Sequence, residues 1–232
     1  MNFETSVFET IQRTPDIISI RFEKPSGFNY FAGQYIFITL EDGSEQMTKH
    51  FTLSSSPTEN FLEITKRLTG HPFSNALARL SSGDKVSMMG AFGDFTFQGE
   101  YNKVGMLSGG IGITPLRNMI KYSVDRNLSS NMILLYSNRF ENDIAFKVEL
   151  DEVQTKNPNI KVIETITKPD LDWKGVSGRI NTEMVKKFIP DYLEREFYVS
   201  GPQKMVDTMI SLLRELGVLE KQIKQEYFPG YE

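Results

Sequence analysis

Three glycines in four positions make Leu107-Ser108-Gly109-Gly110-Ile111-Gly112-Ile113-Thr114-Pro115 the most chemically pointed stretch of the chain. It lies where apolar strand residues give way to a helix opened by Pro115. Missing Cβ atoms let backbone approach a ligand there, and the free N–H groups at the positive end of the helix suit a diphosphate. The run departs from G-x-G-x-x-G because Pro115 stands in the third glycine position, and a tight turn with no ligand reads the same residues. A second turn, Ser200-Gly201-Pro202, ends the run Phe197 to Val199 and again opens a helix. Ligands of open parallel sheets gather at the carboxyl ends of strands, so two such turns point to a nucleotide site. Pro202 as a first helical residue explains the second turn without one. Lys49-His50-Phe51-Thr52-Leu53-Ser54-Ser55-Ser56-Pro57 sets a cation, a ring and a hydroxyl along a strand, Lys49 and Phe51 on one side and Thr52 on the other. A cation for phosphate and a flat ring for stacking fit a flavin nucleotide; a solvated lysine beside a core phenylalanine is the plainer reading.

These residues need two different scaffolds. From Phe3 to about Phe97 the chain reads as short β-branched and aromatic runs: Ile18 to Phe22, Tyr35 to Leu40, Phe51 to Leu53, Phe61 to Thr65 and Val86 to Met89. Turn signals at Pro25-Ser26-Gly27, Asp42-Gly43, Ser82-Gly83-Asp84 and Gly93-Asp94 let strands reverse, which predicts a small antiparallel β-barrel. One helix, Ser74 to Leu80 with Ser74 as N-cap, interrupts it. After a linker, Gly99 to Lys103, strands alternate with helices: strands Val104 to Ser108, Met132 to Tyr136, Ile160 to Ile166 and Phe197 to Ser200, and helices from Pro115, around Ile144 to Val153, near Thr182 to Phe188 and from Pro202 to Leu216 with Gly217 as its stop. The expected architecture is a barrel domain over 1–100 and an α/β domain over 104–232 with a parallel five-stranded sheet.

Composition removes several other chemistries. The chain has 232 residues, no cysteine and 2 histidines. A disulfide framework, a cysteine nucleophile, an iron-sulfur cluster on this chain's thiolates and a multi-histidine metal site therefore fall away. Net charge is -4, and residues 1–100 hold 8 basic and 12 acidic residues against 18 and 18 in the remainder, so no global field favours nucleic acid or an anionic membrane. No apolar run approaches the ~20 residues of a membrane span and the N-terminus lacks a signal-peptide core, which predicts a cytoplasmic protein.

In this order the segments resemble the ferredoxin-NADP reductase superfamily, in which a flavin-binding antiparallel barrel precedes an NAD(P)-binding α/β domain. Lys49 to Pro57 resembles the family's R-x-Y-S signature with its small-residue run and proline, and Gly109 to Pro115 resembles its G-G-x-G-I-T-P. Gly70-His71-Pro72-Phe73-Ser74 is similar to the stretch that wraps the flavin diphosphate onto a short helix. Gly90-Ala91-Phe92-Gly93-Asp94-Phe95 resembles the barrel-closing turn, Val199-Ser200-Gly201-Pro202 the nicotinamide-side turn, and Glu226-Tyr227-Phe228 the acidic-aromatic segment that returns to the flavin. The resemblance implies cofactor contacts from Lys49, His50, Phe51, Thr52, Thr65, Lys66, Gly70, His71, Pro72, Phe73 and Ser74 on the barrel side. On the other side it implies Gly109, Gly110, Gly112, Ile113, Thr114, Pro115, Ser137, Asn138, Arg139, Ser200, Gly201, Pro202, Tyr227 and Phe228. Thr52, Thr114 and Ser200 would stand at the reacting edge, and Phe51 with Tyr227 or Phe228 would sandwich the ring.

Three positions depart from the family pattern: Lys49 replaces its arginine, Phe51 its tyrosine and Thr52 its serine. Phe51 keeps a stacking face and Thr52 a hydroxyl, while Lys49 offers a point charge in place of a bidentate fork, which loosens the hold on a diphosphate. Ser200 stands where many members carry cysteine. Gly70 to Ser74 implies a diphosphate, which favours FAD over FMN. Just past Met132 to Tyr136, Ser137-Asn138-Arg139 supplies a hydroxyl and an arginine for the 2′-phosphate of NADP, with NAD the alternative because Glu141 and Asp143 follow.

The function so implied is hydride transfer between NAD(P)H and FAD, and passage of single electrons to or from a separate acceptor protein: a ferredoxin, a flavodoxin or an oxygenase component. The acceptor is expected to be another molecule because this chain has no cysteine for a ferredoxin segment. His50 and His71 read as positional, and no metal, nucleic-acid or membrane partner is implied. The rival readings are a flavin- or nucleotide-binding subunit without turnover, and a serine hydrolase, which lacks G-x-S-x-G.

Overall fold

The computed structural model describes residues 1–42 and 45–228. Six antiparallel strands form the first half: β1 (Asn2–Thr14), β2 (Ile17–Glu23), β3 (Tyr35–Asp42), β4 (Glu45–Thr52), β5 (Phe61–Arg67) and β6 (Lys85–Phe92), in the order β4-β3-β6-β1-β2-β5. Alternation drives the arrangement. In β6, Val86, Met88 and Gly90 are buried while Lys85, Ser87 and Met89 are exposed. The inward positions Ile20, Phe22, Ile36, Ile38, Leu62 and Ile64 fill the interior of the rolled sheet. Its two outer strands, β4 and β5, are linked by a single isolated bridge between Leu53 and Ile64. The expected barrel is thus an antiparallel sheet with an open seam, and Lys49 to Thr52 lie on an edge strand along it. The expected Asp42-Gly43 turn runs into residues outside those described.

Helix α1 (Pro72–Ala78) starts two residues before the expected position. Pro72 sets φ for the first turn, so His71 takes the cap position with extended backbone. Ser74 is therefore not the N-cap; its hydroxyl accepts the Thr69 N–H at 3.0 Å and ties the preceding loop to the helix.

The second half is a parallel sheet with helices on both faces. Its elements are β7 (Lys103–Gly109), α2 (Ile113–Asp125), β8 (Asn131–Asn138), α3 (Lys147–Lys156), β9 (Ile160–Ile166), β10 (Val176–Ser177), α4 (Thr182–Phe188), β11 (Glu196–Pro202), α5 (Gln203–Glu215) and β12 (Ile223–Phe228), with strand order β10-β9-β8-β7-β11-β12. The sheet has six strands where five were expected, because its margins are the two-residue β10 and the strand β12 formed by the segment containing Glu226 to Phe228. Period-2 alternation sorts the strands' side chains: Met106, Leu134 and Tyr198 face α2 and α3, while Leu107, Leu135 and Val199 face α4 and α5. Helix α2 begins before Pro115, after one turn of 3-10 helix at Gly110–Gly112. Pro202 ends β11 and caps α5 in place of opening it, and Gly217, at φ +87°, stops α5 as expected. Helix α3 starts at Lys147, three residues later than expected, because Phe146 takes φ +63°.

One core runs through both halves. Ile17, Ala32, Phe95 and Phe97 of the first half pack in the same cluster as Met106, Leu116, Met119 and Tyr198 of the second. Helix α2 fastens the join. Arg117, 3% exposed, donates to the Ser54 carbonyl at 2.8 Å and pairs with Glu59 at 2.5 Å and Glu149 at 2.5 Å; Asn118 Nδ2 donates to the Leu53 carbonyl at 2.8 Å. Among the described residues no helix is long and apolar enough to cross a membrane.

Candidate functional site

A cleft of about 530 Å³ opens where the edge strand β4 meets the carboxyl ends of β7 and β12. Strand β4 lines it with Thr48, Lys49, His50, Phe51 and Thr52, and β5 with Thr65 and Lys66. Thr69, His71, Phe73 and Ser74 come from α1 and the loop before it, and Ile111, Thr114 and Phe228 from the second half. Gly70 and Pro72 flank these residues in the chain without forming the wall. Phe37, Thr48 and Thr69, which belong to no motif of the sequence, also line the cleft, as does Ile111 from within the glycine run. Phe37 is visible only through strand pairing, since its register partner is His50.

The wall is cationic and aromatic. Phe51 and Phe73 stack with centroids 5.6 Å apart and planes at 27°. Lys66 Nζ lies 6.0 Å from the Phe51 ring, and its pKa is pushed down to about 8, first by burial and then by the charge of Lys49. His50 packs against Tyr35 and Phe37 at centroid distances of 5.5 and 5.9 Å. Buried Thr52 donates its hydroxyl to Glu226, whose two carboxylate oxygens both lie 3.1 Å away. Burial pushes the Glu226 pKa up to about 8 against the opposing pull of that hydrogen bond. Thr114 uses its hydroxyl locally, donating to the Ile111 carbonyl at 3.3 Å.

The glycine turns lie beside the cleft along the sheet's carboxyl edge. Register places Glu164, Tyr136, Ser108, Ser200 and Glu226 in one row across β9, β8, β7, β11 and β12. The hydroxyls of Ser108 and Ser200 are buried without a hydrogen-bond partner, which costs about 1–3 kcal/mol each unless a ligand or water pairs them. Gly112 lets the two turns touch: a Cβ there would meet the Ser200 carbonyl oxygen at 2.4 Å and Gly201 Cα at 2.5 Å. Gly110 takes φ +53°, and its carbonyl accepts the Tyr136 hydroxyl at 2.9 Å. Gly109, Ile113, Pro115 and Pro202 belong to these turns rather than to the cleft wall. At the end of β8, Ser137 and Asn138 are buried, while Arg139 is exposed with its guanidinium 5.4 Å from the Phe140 ring. Alternation along β12 divides its aromatic pair: Phe228 reaches the cleft, whereas the Tyr227 hydroxyl donates to Asp207 at 3.1 Å. A ring stack, a wall whose described residues bring cations and rings, and orphaned hydroxyls beside glycine turns fit a planar, anionic dinucleotide.

Comparison with known proteins agrees with this geometry. Residues 4–97 match the family described as oxidoreductase FAD-binding domain, and residues 106–210 match the oxidoreductase NAD-binding domain. The chain is 31% identical over 229 residues to the glycine betaine monooxygenase reductase subunit of Chromohalobacter salexigens, covering 95% of this chain and 62% of that protein's length. Among solved structures, the flavohem-like FAD/NAD-binding domain of a nitric oxide dioxygenase from Vibrio cholerae superposes with TM-score 0.88 at 20% identity, covering 97% of this chain and 98% of that one. A ferredoxin NADP+ reductase from Neisseria gonorrhoeae with bound FAD and NADP gives 0.84 at 20% identity, covering 97% and 98%. Both structural likenesses are likenesses of fold.

Proposed function

Because the chain belongs to the ferredoxin-NADP reductase superfamily, we propose that it moves hydride between NAD(P)H and FAD and single electrons between FAD and a separate acceptor protein. The carrying observation is the cleft itself, in which a stacked, cationic wall of the FAD-binding half meets the glycine-turn edge of the NAD-binding half across the Thr52–Glu226 hydrogen bond. FAD, when bound, supplies the two-electron to one-electron conversion; the protein supplies position and electrostatics.

Lys49 and Lys66 hold the diphosphate, the Phe51 face and Phe228 bracket the ring, and Thr52 keeps a hydroxyl at the reacting edge. His50, Thr65, His71, Phe73 and Ser74 shape the wall around them. Gly109, Gly110, Gly112 and Gly201 expose backbone to the nicotinamide dinucleotide, and Ser200 pairs its orphaned hydroxyl there. Ser137, Asn138 and Arg139 receive the second ribose, which favours NADPH over NADH. The catalytic unit divides into a flavin domain over 1–100 and a nucleotide domain over 104–232. The Chromohalobacter salexigens relative is named as a reductase subunit of a monooxygenase, which supports an oxygenase component as acceptor here, with ferredoxin and flavodoxin the alternatives.

Anaerobic titration of FAD-loaded protein tests this reading. NADPH is expected to bleach the flavin absorption band at lower concentration than NADH. A flavin that neither nucleotide bleaches overturns the reading, and bleaching at lower NADH concentration overturns the role given to Arg139.

A further inference from the structure

We propose that Tyr136 is a positioning residue for the nicotinamide dinucleotide: its hydroxyl holds the Gly110–Ile111 peptide in the orientation that turns backbone N–H groups of the first glycine turn toward the diphosphate. This rests on the nucleotide reading above and adds to it a fully buried residue that acts through the turn.

Tyr136 lies on β8 in register with Ser108 of β7, and its side chain stands on the sheet face covered by α2 and α3. It is 0% exposed, and its ring packs in one core with Ile111 and Ile113. A phenol so buried needs a partner for its hydroxyl inside the protein. It donates to the Gly110 carbonyl at 2.9 Å. Burial also raises its pKa, so the proton stays on and the group remains a donor at every working pH.

The peptide plane converts this contact into a direction. In a trans peptide the C=O and the following N–H point opposite ways. With the Gly110 carbonyl drawn toward Tyr136, the Ile111 N–H points away from that ring. Gly110 takes φ +53°, while Gly112 and Ile113 are right-handed. A left-handed residue among right-handed ones bends successive N–H groups to one side, which makes a concavity for an anion. Nothing lies within 4 Å of the place a Gly110 Cβ would take, so backbone angle rather than space calls for glycine there. Two donors fix the Gly110 carbonyl, the Ile113 N–H from within the turn and the Tyr136 hydroxyl from the neighbouring strand. Without the hydroxyl the turn holds itself by the local bond alone, and the peptide is freer to rotate.

The test compares NADP+, which carries the diphosphate, with adenosine 2′-phosphate, which lacks it, by calorimetry on the FAD-loaded protein. Tyr136→Phe keeps the ring and removes one hydrogen bond. We expect its affinity for NADP+ to fall about five- to tenfold. Adenosine 2′-phosphate should bind within about twofold of the unaltered protein, and FAD content should not change. The KM for NADPH should rise as affinity falls while kcat holds, the pattern of lost uniform binding. Gly110→Ala, strained only by its φ, should show the same selective loss. The double variant should bind little worse than the weaker single one, because both changes free the same peptide. Amide exchange in the unaltered protein checks the geometry without a variant: the Ile111 N–H should slow on adding NADP+ and not on adding adenosine 2′-phosphate. Unchanged NADP+ affinity in Tyr136→Phe, equal losses for both ligands, multiplying losses in the double variant, or an Ile111 N–H indifferent to NADP+ overturns the role of Tyr136. If the protein takes NAD+ instead, NAD+ against adenosine makes the same comparison. An unaltered protein that binds neither dinucleotide overturns the nucleotide reading beneath, so the two failures are distinguishable.

Discussion

Glu226 reaches the first half's cleft wall from the second half, through Thr52. Its proton is held because burial disfavours the anion, so its folded pKa of about 8 lies above the ordinary value of 4.5. A carboxyl raised in this way binds more protons folded than unfolded between those two values, and stability falls as pH rises through that window. We expect the ligand-free protein to lose roughly 1–3 kcal/mol between pH 5 and 8 from this group, the lower part of the range reflecting its partial exposure. Glu226→Gln should flatten that slope, as read by urea midpoints at several pH values; an unchanged slope would remove the carboxyl from the explanation. The sequence made Thr52 legible through its place in Lys49 to Pro57. The contact with Glu226 was not, because 174 residues separate the partners and they meet only once β12 has paired with β11 and the two halves have docked.

At the scale of elements, the two glycine turns work as a unit because Gly112 carries no side chain. Its φ of -59° suits any residue, so space alone demands glycine. In Gly112→Ala the new Cβ would press on the backbone of Ser200 and Gly201, which has no flexible end to yield. The turns should separate, raising KM for the nicotinamide nucleotide tenfold or more while flavin content and the flavin absorption spectrum stay unchanged. Unaltered KM would show that the turns do not jointly bind. Elements with a clear rhythm, such as β2, β6 and α5, are readable from the chain, as are both glycine turns. Strand β1 is not: its run Glu4-Thr5-Ser6 and Glu9-Thr10 breaks apolar alternation, and two register shifts against β2 blur what remains. The sixth parallel strand was hidden for a related reason, since Ile223 to Phe228 lies at a sheet margin, where one neighbour suffices and apolar enrichment is weak.

For the whole molecule, a core shared across the join predicts one cooperative transition. Trp173, the sole tryptophan, reports the second half, and far-UV circular dichroism reports both. Their urea curves should coincide in the unaltered protein. Arg117→Ala strands Glu59 and Glu149 without their shared cation, and should cost roughly 3–5 kcal/mol. Two separated steps in the unaltered protein, or a loss under 1 kcal/mol in Arg117→Ala, would contradict a single fastened unit. The two-part plan of strands followed by alternating strands and helices was legible in the sequence. The fastening was not, because a lysine-like surface charge and a buried arginine look alike until α2 is docked. Helix α2 carries the first glycine turn at its start and, one turn on, the side chains that grip the backbone of Leu53 and Ser54. Exchange of halves with a homologue, spliced at residues 99–103, would part these mates: a hybrid inheriting only one of Glu59 and Arg117 should misalign the glycine turn with the cleft wall.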